Sequence, residues 1–218
     1  YGLRPNIGMR GSGLERSAKI NMMEDGIPIS PAPYSSPAAD YSPTAGRMES
    51  IEIRKGSTQI KHGPFTTGGS LNYISTSIPT SKLNSVSLDI GSFGKRLMQV
   101  RSGDSMGNFA YLIELYSDKM DGFKELDGGG DTGYNKTDFM TKLRYSFSES
   151  HALEFKYSMT DELSDETYLG LTDADYSENP LRRYRATALD EMDADHSQVM
   201  LSYAAKLNDS MSLAVVGY

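Results

Sequence analysis

Three arginines lie close together in the segment "NPLRRYRAT" and are the side chains with the most obvious binding chemistry. Arg182, Arg183 and Arg185 each carry a guanidinium group, which can pair with a carboxylate through two parallel hydrogen bonds. The cluster therefore suits an anionic ligand that presents carboxylates. It suits equally well a loop held together by its own ion pairs. The near acidic residues are Asp190, Glu191 and Asp193.

Two neighbouring segments resemble binding loops but lack required residues. In "DADYSENPLRRY" (173–184) oxygen-bearing side chains alternate as in a calcium loop, yet the central Gly is missing and Tyr184 occupies the position of the bidentate Glu. In "LDGGGDTG" (126–133) no Lys-Ser/Thr pair and no helix follow, so a flexible loop tip is favoured over a phosphate cradle. No paired carboxylates or nucleophile–base pair indicate an enzyme.

Composition excludes several classes of protein. The 218 residues include 22 Lys+Arg and 29 Asp+Glu, for a net charge of −7, which argues against a nucleic-acid-binding protein. Cysteine is absent, so disulfides and thiolate metal sites are excluded. The three histidines are scattered, and no metal site is expected from them. The longest apolar run, 109–113, is far shorter than the roughly 20 residues of a membrane-spanning helix.

The first 80 residues combine short strands with corners rich in Gly, Pro and Ser. The segment "INMMEDGIPI" (20–29) predicts a strand, an Asp25-Gly26 turn and a second short strand. Residues 30–46 contain four prolines, which indicate either a flexible linker or a structured loop; Tyr34 and Tyr41 favour the structured loop. Residues 47–56 alternate again, with Ile51 and Ile53 on one face of the predicted strand.

From residue 85 onward the sequence predicts long strands in which apolar and polar residues alternate almost throughout. The clearest segments are "SVSLDIG" (85–91), "FAYLIELYS" (109–117), "DFMTKLRYSF" (138–147), "ALEFKYSMT" (152–160) and "SQVMLSYAAKL" (197–207). With two shorter strands between and after them, seven are expected. Alternation of this kind is typical of an antiparallel sheet with two different faces.

The predicted connections alternate in length. The first connection, 91–95, is expected to be short. After it, tight turns are expected at 102–108, 148–151 and 208–210, and longer loops at 118–137 and 161–196. Bacterial outer-membrane barrels have this asymmetry, with short turns at one end and long loops at the other. The apolar face would then meet lipid, and the polar face would meet the lumen. Seven strands cannot close such a barrel, so we expect further strands in a longer parent protein. The start at Tyr1, without Met or a signal segment, also suggests a fragment.

Four segments together resemble the plug domain of TonB-dependent outer-membrane receptors. "IGMRGSG" (7–13) is similar to the plug's first strand and turn, and "MMEDGIPI" (22–29) to its Asp-Gly-Ile-Pro hairpin. "MESIEIRKGS" (48–57) resembles an Ile-Glu-Val-x-Arg-Gly-Pro segment, although Lys55-Gly56-Ser57 replaces Arg-Gly-Pro. "HGPFTTGGSLNYIST" (62–76) resembles a Gly-Gly-x-x-Asn motif, with His62 in place of the usual Tyr.

The resemblance implies an architecture and a function. The fold class is an incomplete all-β transmembrane antiparallel barrel with a small mixed α+β plug. Residues 1–80 would form an N-terminally truncated plug, and residues 81–218 the first barrel strands. The implied function is TonB-dependent import of a ferric complex, most similar to the ferric-citrate branch, across the outer membrane of a Gram-negative bacterium. Partners would be TonB, whose contact box would precede Tyr1, the ferric chelate and lipid. No cofactor, nucleic acid or catalytic residue is expected.

The resemblance also nominates residues. Those expected to face the ligand are Ser12, Glu15, Arg16, Tyr34, Ser35, Arg182, Arg183 and Arg185. Those expected to shape the plug are Arg10, Gly11, Asp25, Gly26, Arg54, Gly56, Gly63, Gly68, Gly69 and Asn72. Two alternatives remain open: import of a non-iron ligand such as cobalamin, a glycan or another metal chelate, and a soluble β-rich binding module.

Overall fold

The computed structural model describes residues 3–14, 17–29, 41–56, 63 and 67–218. The chain divides into two compact units, Tyr1–Ser77 and Ile78–Tyr218. The change from short strands with Gly-, Pro- and Ser-rich corners to long alternating strands predicted this division after residue 80. Each unit has its own principal sheet.

Unit 1 contains a four-stranded sheet in the order β2-β1-β4-β3. Its strands are β1 Ile20–Glu24, β2 Ile27–Pro28, β3 Met48–Arg54 and β4 Gly69–Ser75. Strands β1 and β4 are parallel, whereas β2 and β3 pair in the antiparallel sense. The predicted hairpin at Asp25-Gly26 is confirmed. Ile51 and Ile53 share a face as predicted, but both stay half exposed on the edge strand β3. An α-helical part was expected here, and the described residues of this unit contain none.

The β1–β2 turn is fastened to strand β4 by side chains that the sequence singled out. Asp25 and Gly26 both have positive φ, 50° and 83°, as the two central residues of a tight primed turn require. The Gly26 N–H donates to Asn72 Oδ1 at 2.8 Å. The Asp25 carboxylate accepts the Ser75 N–H at 2.9 Å and also the Ser75 hydroxyl. The turn therefore fixes the position of the hairpin over β4.

A charged pair lies inside the apolar core of unit 1. Glu24 is 1% exposed and Arg47 0%, and their side chains form two hydrogen bonds, Nη1 to Oε1 at 2.6 Å and Nη2 to Oε2 at 3.1 Å. The Tyr41 hydroxyl donates to Glu24 Oε2 at 3.0 Å and accepts from Arg47 Nη2 at 3.1 Å. Since burying either charge alone would be costly, the three groups stabilise one another.

Unit 2 is built on a seven-stranded antiparallel meander, in which every strand pairs with its neighbours in the chain. Its strands are β5 Leu83–Ile90, β6 Arg96–Met106, β7 Phe109–Met120, β9 Tyr134–Ser148, β10 His151–Asp165, β12 Glu191–Asn208 and β13 Met211–Gly217. Three short elements lie within the connections: β8 Glu125–Leu126, α1 Asp173–Glu178 and β11 Arg182–Arg183. The predicted number of strands is confirmed. The sheet is open, with β5 and β13 at its edges in the described chain.

The connections of the meander alternate between tight and long, as predicted. Gly107-Asn108, Glu149-Ser150 and Asp209-Ser210 form turns at one end of the sheet. Residues 91–95, 121–133 and 166–190 connect strands at the other end. The turn expected over 102–108 is shorter than predicted because β6 continues through Gly103 and Asp104 to Met106.

The two faces of this sheet are reversed relative to those of a soluble protein: the apolar face is exposed and the polar face is buried. One face exposes large apolar side chains, among them Val86, Leu88, Ile113, Leu115, Leu143, Phe147, Met159, Val199, Leu201 and Val215. The other face buries charged and hydroxyl side chains, among them Glu114, Asp118, Lys136, Asp138, Lys142, Lys156, Thr160 and Glu162. A water-soluble sheet normally buries the apolar face. No helix in the described residues is long and apolar enough to span a membrane.

The strand register places opposite charges beside one another on the polar face. Lys136 lies directly between Asp118 on β7 and Glu162 on β10, and its ammonium is 3.1 Å from Glu162 Oε2. Glu114 accepts hydrogen bonds from Gln99 at 2.6 Å and Arg101 at 2.8 Å. Cross-strand pairs of opposite charge stabilise a sheet, and buried charges require such partners.

Candidate functional site

The two longest connections of unit 2 are joined to each other by backbone pairing. Loop A is defined as residues 121–133 and loop B as residues 166–190. Strand β8 of loop A pairs in parallel with β11 of loop B. The Glu125 N–H donates to the Leu181 carbonyl at 2.7 Å, and the Asp127 N–H donates to the Arg183 carbonyl at 2.9 Å. The loops therefore form one ordered surface at the long-loop end of the sheet.

Helix α1 occupies the segment whose alternating oxygens resembled a calcium loop. Thr172 caps the helix, because its hydroxyl oxygen accepts the Asp175 N–H at 3.2 Å. Asp173 and Asp175 lie in the first turn, where negative charge is favourable. Pro180 follows shortly after the helix ends at Glu178. Over the described residues, no group of three or more His, Asp or Glu side chains is placed to hold a metal ion.

Arg182 connects the loops through ion pairs. Its guanidinium donates from Nε to Asp127 Oδ1 at 2.9 Å, from Nη2 to Asp127 Oδ2 at 3.0 Å and from Nη1 to Asp175 Oδ1 at 2.6 Å. The guanidinium carbon also lies 5.1 Å from the centre of the Tyr184 ring. An ion-paired loop was one of the two interpretations of the arginine cluster. The partners are Asp127 and Asp175, which fold close to Arg182, rather than the acids next in sequence.

These contacts shift the pKa values of the loop carboxyls. The hydrogen bond from Arg182 lowers the pKa of Asp127 below its ordinary value of 3.8. Hydrogen bonds from Tyr184 and Thr172 lower the pKa of Asp175 below the same value. The pKa of Arg182 is raised in return, first by its hydrogen bond to Asp127. All three side chains are therefore charged at neutral pH, when their ion pairs are intact.

Arg183 is buried, with 3% of its surface exposed, and its side chain supports loop B from within. Its Nε donates to Thr187 Oγ1 at 3.1 Å, and its Nη2 donates to the backbone carbonyls of Thr187 and Asp190. Its Nη1 lies 3.8 Å from Asp165 Oδ1. Asp190, expected as an ion-pair partner, thus contributes its backbone carbonyl.

Arg185 is the arginine of the cluster with the most exposed side chain. Its Nη1 donates to the Gly129 carbonyl at 3.0 Å, in the triple-glycine tip of loop A. All three glycines of this tip have positive φ. Arg185 therefore attaches the tip to loop B while the residue as a whole stays exposed.

Two of the cavities in the described part of the chain are lined by residues of both loops. One, of about 420 Å³, is lined by four carboxylates and Arg182. The carboxylates belong to Glu125, Asp127, Asp175 and Glu178. The other, of about 350 Å³, has apolar walls with Lys124 and Arg182 among its polar residues. The cavity of about 420 Å³ surrounds Arg182 with negative charge. An anion that entered it would therefore compete for Arg182 with the carboxylates already in place.

The nominated ligand-facing residues of unit 1 are only partly within the described chain. Ser12 is described: its Oγ accepts the Met9 N–H at 3.2 Å and its N–H donates to the Met9 carbonyl at 3.1 Å. Glu15, Arg16, Tyr34 and Ser35 lie outside the described residues.

The Gly68-Gly69 corner allows a close approach of three segments. A Cβ on Gly68 would lie 2.8 Å from Ser12 Oγ and 3.0 Å from the Lys19 carbonyl. A Cβ on Gly69 would lie 2.6 Å from Met9 Sδ and 2.8 Å from the Arg54 carbonyl. The "IGMRGSG" and Gly-Gly motifs, far apart in sequence, are therefore packed together.

The remaining nominated residues lie in turns or on the surface. Arg10, Gly11, Gly56 and Gly63 have positive φ, of 56°, 74°, 97° and 93°. Arg54 forms an exposed ion pair with Glu52 at 3.5 Å.

Sequence reasoning missed several residues on which the two units depend. Glu24 and Arg47 were not singled out, although a carboxylate closing the largely apolar run "INMME" was a usable signal, and Tyr41 was noted only as a sign of a structured loop. Asp127 and Lys124 were also missed, and Asp175 was considered only as part of a calcium loop. Their pairing depends on the folding of two loops against each other, for which the sequence offers no periodic pattern.

Seven antiparallel strands with an exposed apolar face, a buried polar face and one elaborated end are features of the sheet of an outer-membrane β-barrel. Comparison with solved structures gives the same fold: over most of its length the chain is similar to TonB-dependent siderophore and ferric citrate receptors. No protein-family model matches the sequence.

Three of these structures show the extent of the likeness. The unliganded ferric citrate transporter FecA superposes with a TM-score of 0.76 at 19% identity, covering 95% of this chain and 32% of that one. The ferric-catecholate import receptor Fiu of E. coli K12 gives 0.69 at 14%, covering 99% and 33%. The siderophore receptor PiuA of Acinetobacter baumannii gives 0.70 at 11%, covering 99% and 31%. The chain spans about a third of the length of each.

Proposed function

We propose that this chain is part of an outer-membrane receptor that imports a chelated nutrient using energy delivered by TonB. The observation that carries the proposal is the reversed seven-stranded sheet, whose apolar side chains are exposed and whose charged side chains are buried. In water such a face would aggregate, whereas in a bilayer it would be solvated by lipid. Its fold, shared with outer-membrane receptors, supports the same assignment.

The proposed mechanism requires no covalent chemistry. Unit 1 would act as the plug that closes the passage, and unit 2 would supply the first strands of the wall. The long loops would meet the ligand outside the cell, and TonB would supply the work that rearranges the plug. The two units and their division at Ser77 are compatible with these roles.

For the ligand, we propose a ferric complex, either ferric citrate or a siderophore. The ferric citrate transporter FecA superposes well, and siderophore receptors do so too. A non-iron ligand remains a second candidate, since the copper transporter OprC also shares the fold, with a TM-score of 0.62 at 13% identity. A soluble binding module is disfavoured by the exposed apolar face.

The arginine cluster offers a direct test of ligand capture. Replacing Arg182, Arg183 and Arg185 together is expected to weaken binding of an anionic chelate and to reduce its salt dependence. Since Arg182 and Arg183 also hold the loops, the single variant Arg185→Gln separates contact from loop order. Weaker, less salt-sensitive binding in Arg185→Gln would indicate contact by this exposed side chain. Unchanged affinity in the triple variant would exclude a role for the cluster.

Uptake in iron-starved cells tests the function as a whole. The full-length receptor is expressed in cells that lack their own ferric receptors, and uptake of labelled ferric citrate is followed with and without a working TonB. Uptake that disappears without TonB is the expected result. Uptake that persists without TonB would contradict the energised mechanism. If the receptor reaches the outer membrane but takes up no ferric citrate, this ligand is wrong.

A further inference from the structure

The cavity of about 350 Å³ between loops A and B combines an apolar surface with three cationic side chains and one carboxylate, that of Asp173. Leu169, Leu171, Tyr176 and Pro180 form its apolar walls, and Lys124 reaches it from loop A. Gly170 also lines the cavity, and no atom lies within 4 Å of where its Cβ would be. The cavity is therefore open at this point and is formed by both loops together.

The side chains around the cavity have unused binding capacity. Tyr176 is 63% exposed and Leu169 52%, so both offer apolar surface for a ligand to cover. Lys124 donates one hydrogen bond, to the Pro180 carbonyl at 3.2 Å, and its ammonium lies 5.6 Å from the centre of the Phe123 ring. An ammonium group has three donors, so Lys124 can bind an anion without losing this contact.

The loops hold this cavity in shape before any ligand arrives. The β8–β11 pairing and the bonds from Arg182 to Asp127 and Asp175 fix the two walls relative to each other. A preorganised pocket binds more tightly because less ordering is required on binding.

We propose that this cavity binds a single aromatic carboxylate. The ring would stack against Tyr176 and pack on the leucine and proline walls, since offset aromatic pairs add to the gain from burial. The carboxylate would pair with Lys124. A volume of about 350 Å³ is at the lower end of the range for ligand sites, which suits one substituted ring. Citrate has no ring, and its two methylene groups offer little apolar surface to place against these walls. The aromatic carboxylate is thus a substrate class for the proposed receptor. The proposal rests on the proposed function only in taking the bound molecule to be a substrate.

Binding of salicylate to the full-length receptor, purified in detergent, tests this site. Salicylate fluorescence gives the dissociation constant directly. Saturable binding to the wild-type receptor is expected, and excess citrate should not displace it. Gly170→Phe, which adds a bulky ring at a residue that lines the cavity, and Tyr176→Ala, which removes the stacking ring, should each weaken binding at least tenfold. Lys124→Gln should weaken it and reduce its salt dependence.

Tyr168→Ala is the matched control, because Tyr168 is an exposed tyrosine of the same loop and does not line the cavity. Its affinity for salicylate should equal that of the wild type. Unchanged protease resistance of loop B in each variant shows that the loop is still folded. Equal binding by wild type and Gly170→Phe, absence of saturable binding, or displacement by citrate would each overturn the site. These outcomes do not decide the uptake test of the proposed function, because binding is measured here without transport.

Discussion

At the scale of single residues, the Glu24–Arg47 pair is a point where one substitution should have a large effect. Arg47→Met is expected to lower the free energy of unfolding of unit 1 by about 3–5 kcal/mol, because it removes the positive charge that Arg47 places against the buried Glu24 carboxylate. The measurement is urea-induced unfolding, followed by a fluorophore attached to unit 1.

Two related variants separate charge from packing. The double variant Glu24→Leu with Arg47→Met should recover most of the lost stability, since no uncompensated charge remains. Tyr41→Phe removes only one hydroxyl from the network and should cost about 1–2 kcal/mol. If Arg47→Met costs no more than Tyr41→Phe, the pair is not the stabilising element described above.

Gly69 should be intolerant of a single added methyl group. Gly69→Ala is expected to destabilise unit 1 by about 1–3 kcal/mol, because the new Cβ meets the Arg54 carbonyl at 2.8 Å as well as Met9. Gly170→Ala is the matched control, as its Cβ would enter open space, and it should change stability by less than about 0.5 kcal/mol. Thermal unfolding of both variants in detergent measures the difference; equal midpoints would contradict the close approach.

At the scale of elements, loops A and B behave as one body because main-chain and side-chain bonds join them. The two backbone bonds from Glu125 and Asp127 are of the kind that protects amides from exchange with solvent. Arg182 adds the charged part of the contact. The order of the loops should therefore depend on the ionisation of its two carboxylate partners.

Acid should release the two loops from each other. Asp127 and Asp175 have folded-state pKa values below their ordinary 3.8, so their stabilising contribution is complete above pH 3.8 and is lost as the pH falls below it. Amide exchange, corrected for its intrinsic pH dependence, should show loss of protection at Glu125 and Asp127 in that range. In Arg182→Gln the same protection should already be reduced at neutral pH. Protection that is independent of both changes would contradict the role of Arg182.

At the scale of the whole molecule, the reversed sheet of unit 2 determines the environment in which it can fold. Exposed apolar side chains on one face and buried charges on the other suit contact with lipid on the first face. The alternation of tight turns and long loops gives the sheet one simple and one elaborated end, and the arginine cluster of Arg182, Arg183 and Arg185 lies at the elaborated end.

A lysine should be tolerated on one face of β12 and rejected on the other. Leu201→Lys places a charge on the apolar face and is expected to cost about 2–4 kcal/mol in a bilayer if the residue lies near its midplane. Ser202→Lys, the next residue, faces the polar side and should assemble normally. Folding into lipid vesicles, followed by heat-modifiable electrophoretic mobility, measures both. Equal assembly of the two variants would contradict the assignment of the faces.

The sequence by itself determined the strands, their number and their two faces. A period of two is a local property, because successive side chains of a strand point to opposite sides whatever the rest of the chain does. The Asp25-Gly26 turn was predictable for a similar reason, since few residues tolerate positive φ. The alternating lengths of the connections followed directly from where the strands ended.

Only the tertiary structure decided which side chains meet. Arg182 pairs with Asp127, which is distant in sequence, because β8 and β11 bring loops A and B together. Gly69 meets Met9, and Glu24 meets Arg47, for the same reason. These contacts depend on distances between segments, which no local pattern encodes. For the same reason Arg183 is buried and Arg185 is exposed, although both belong to one short run of arginines.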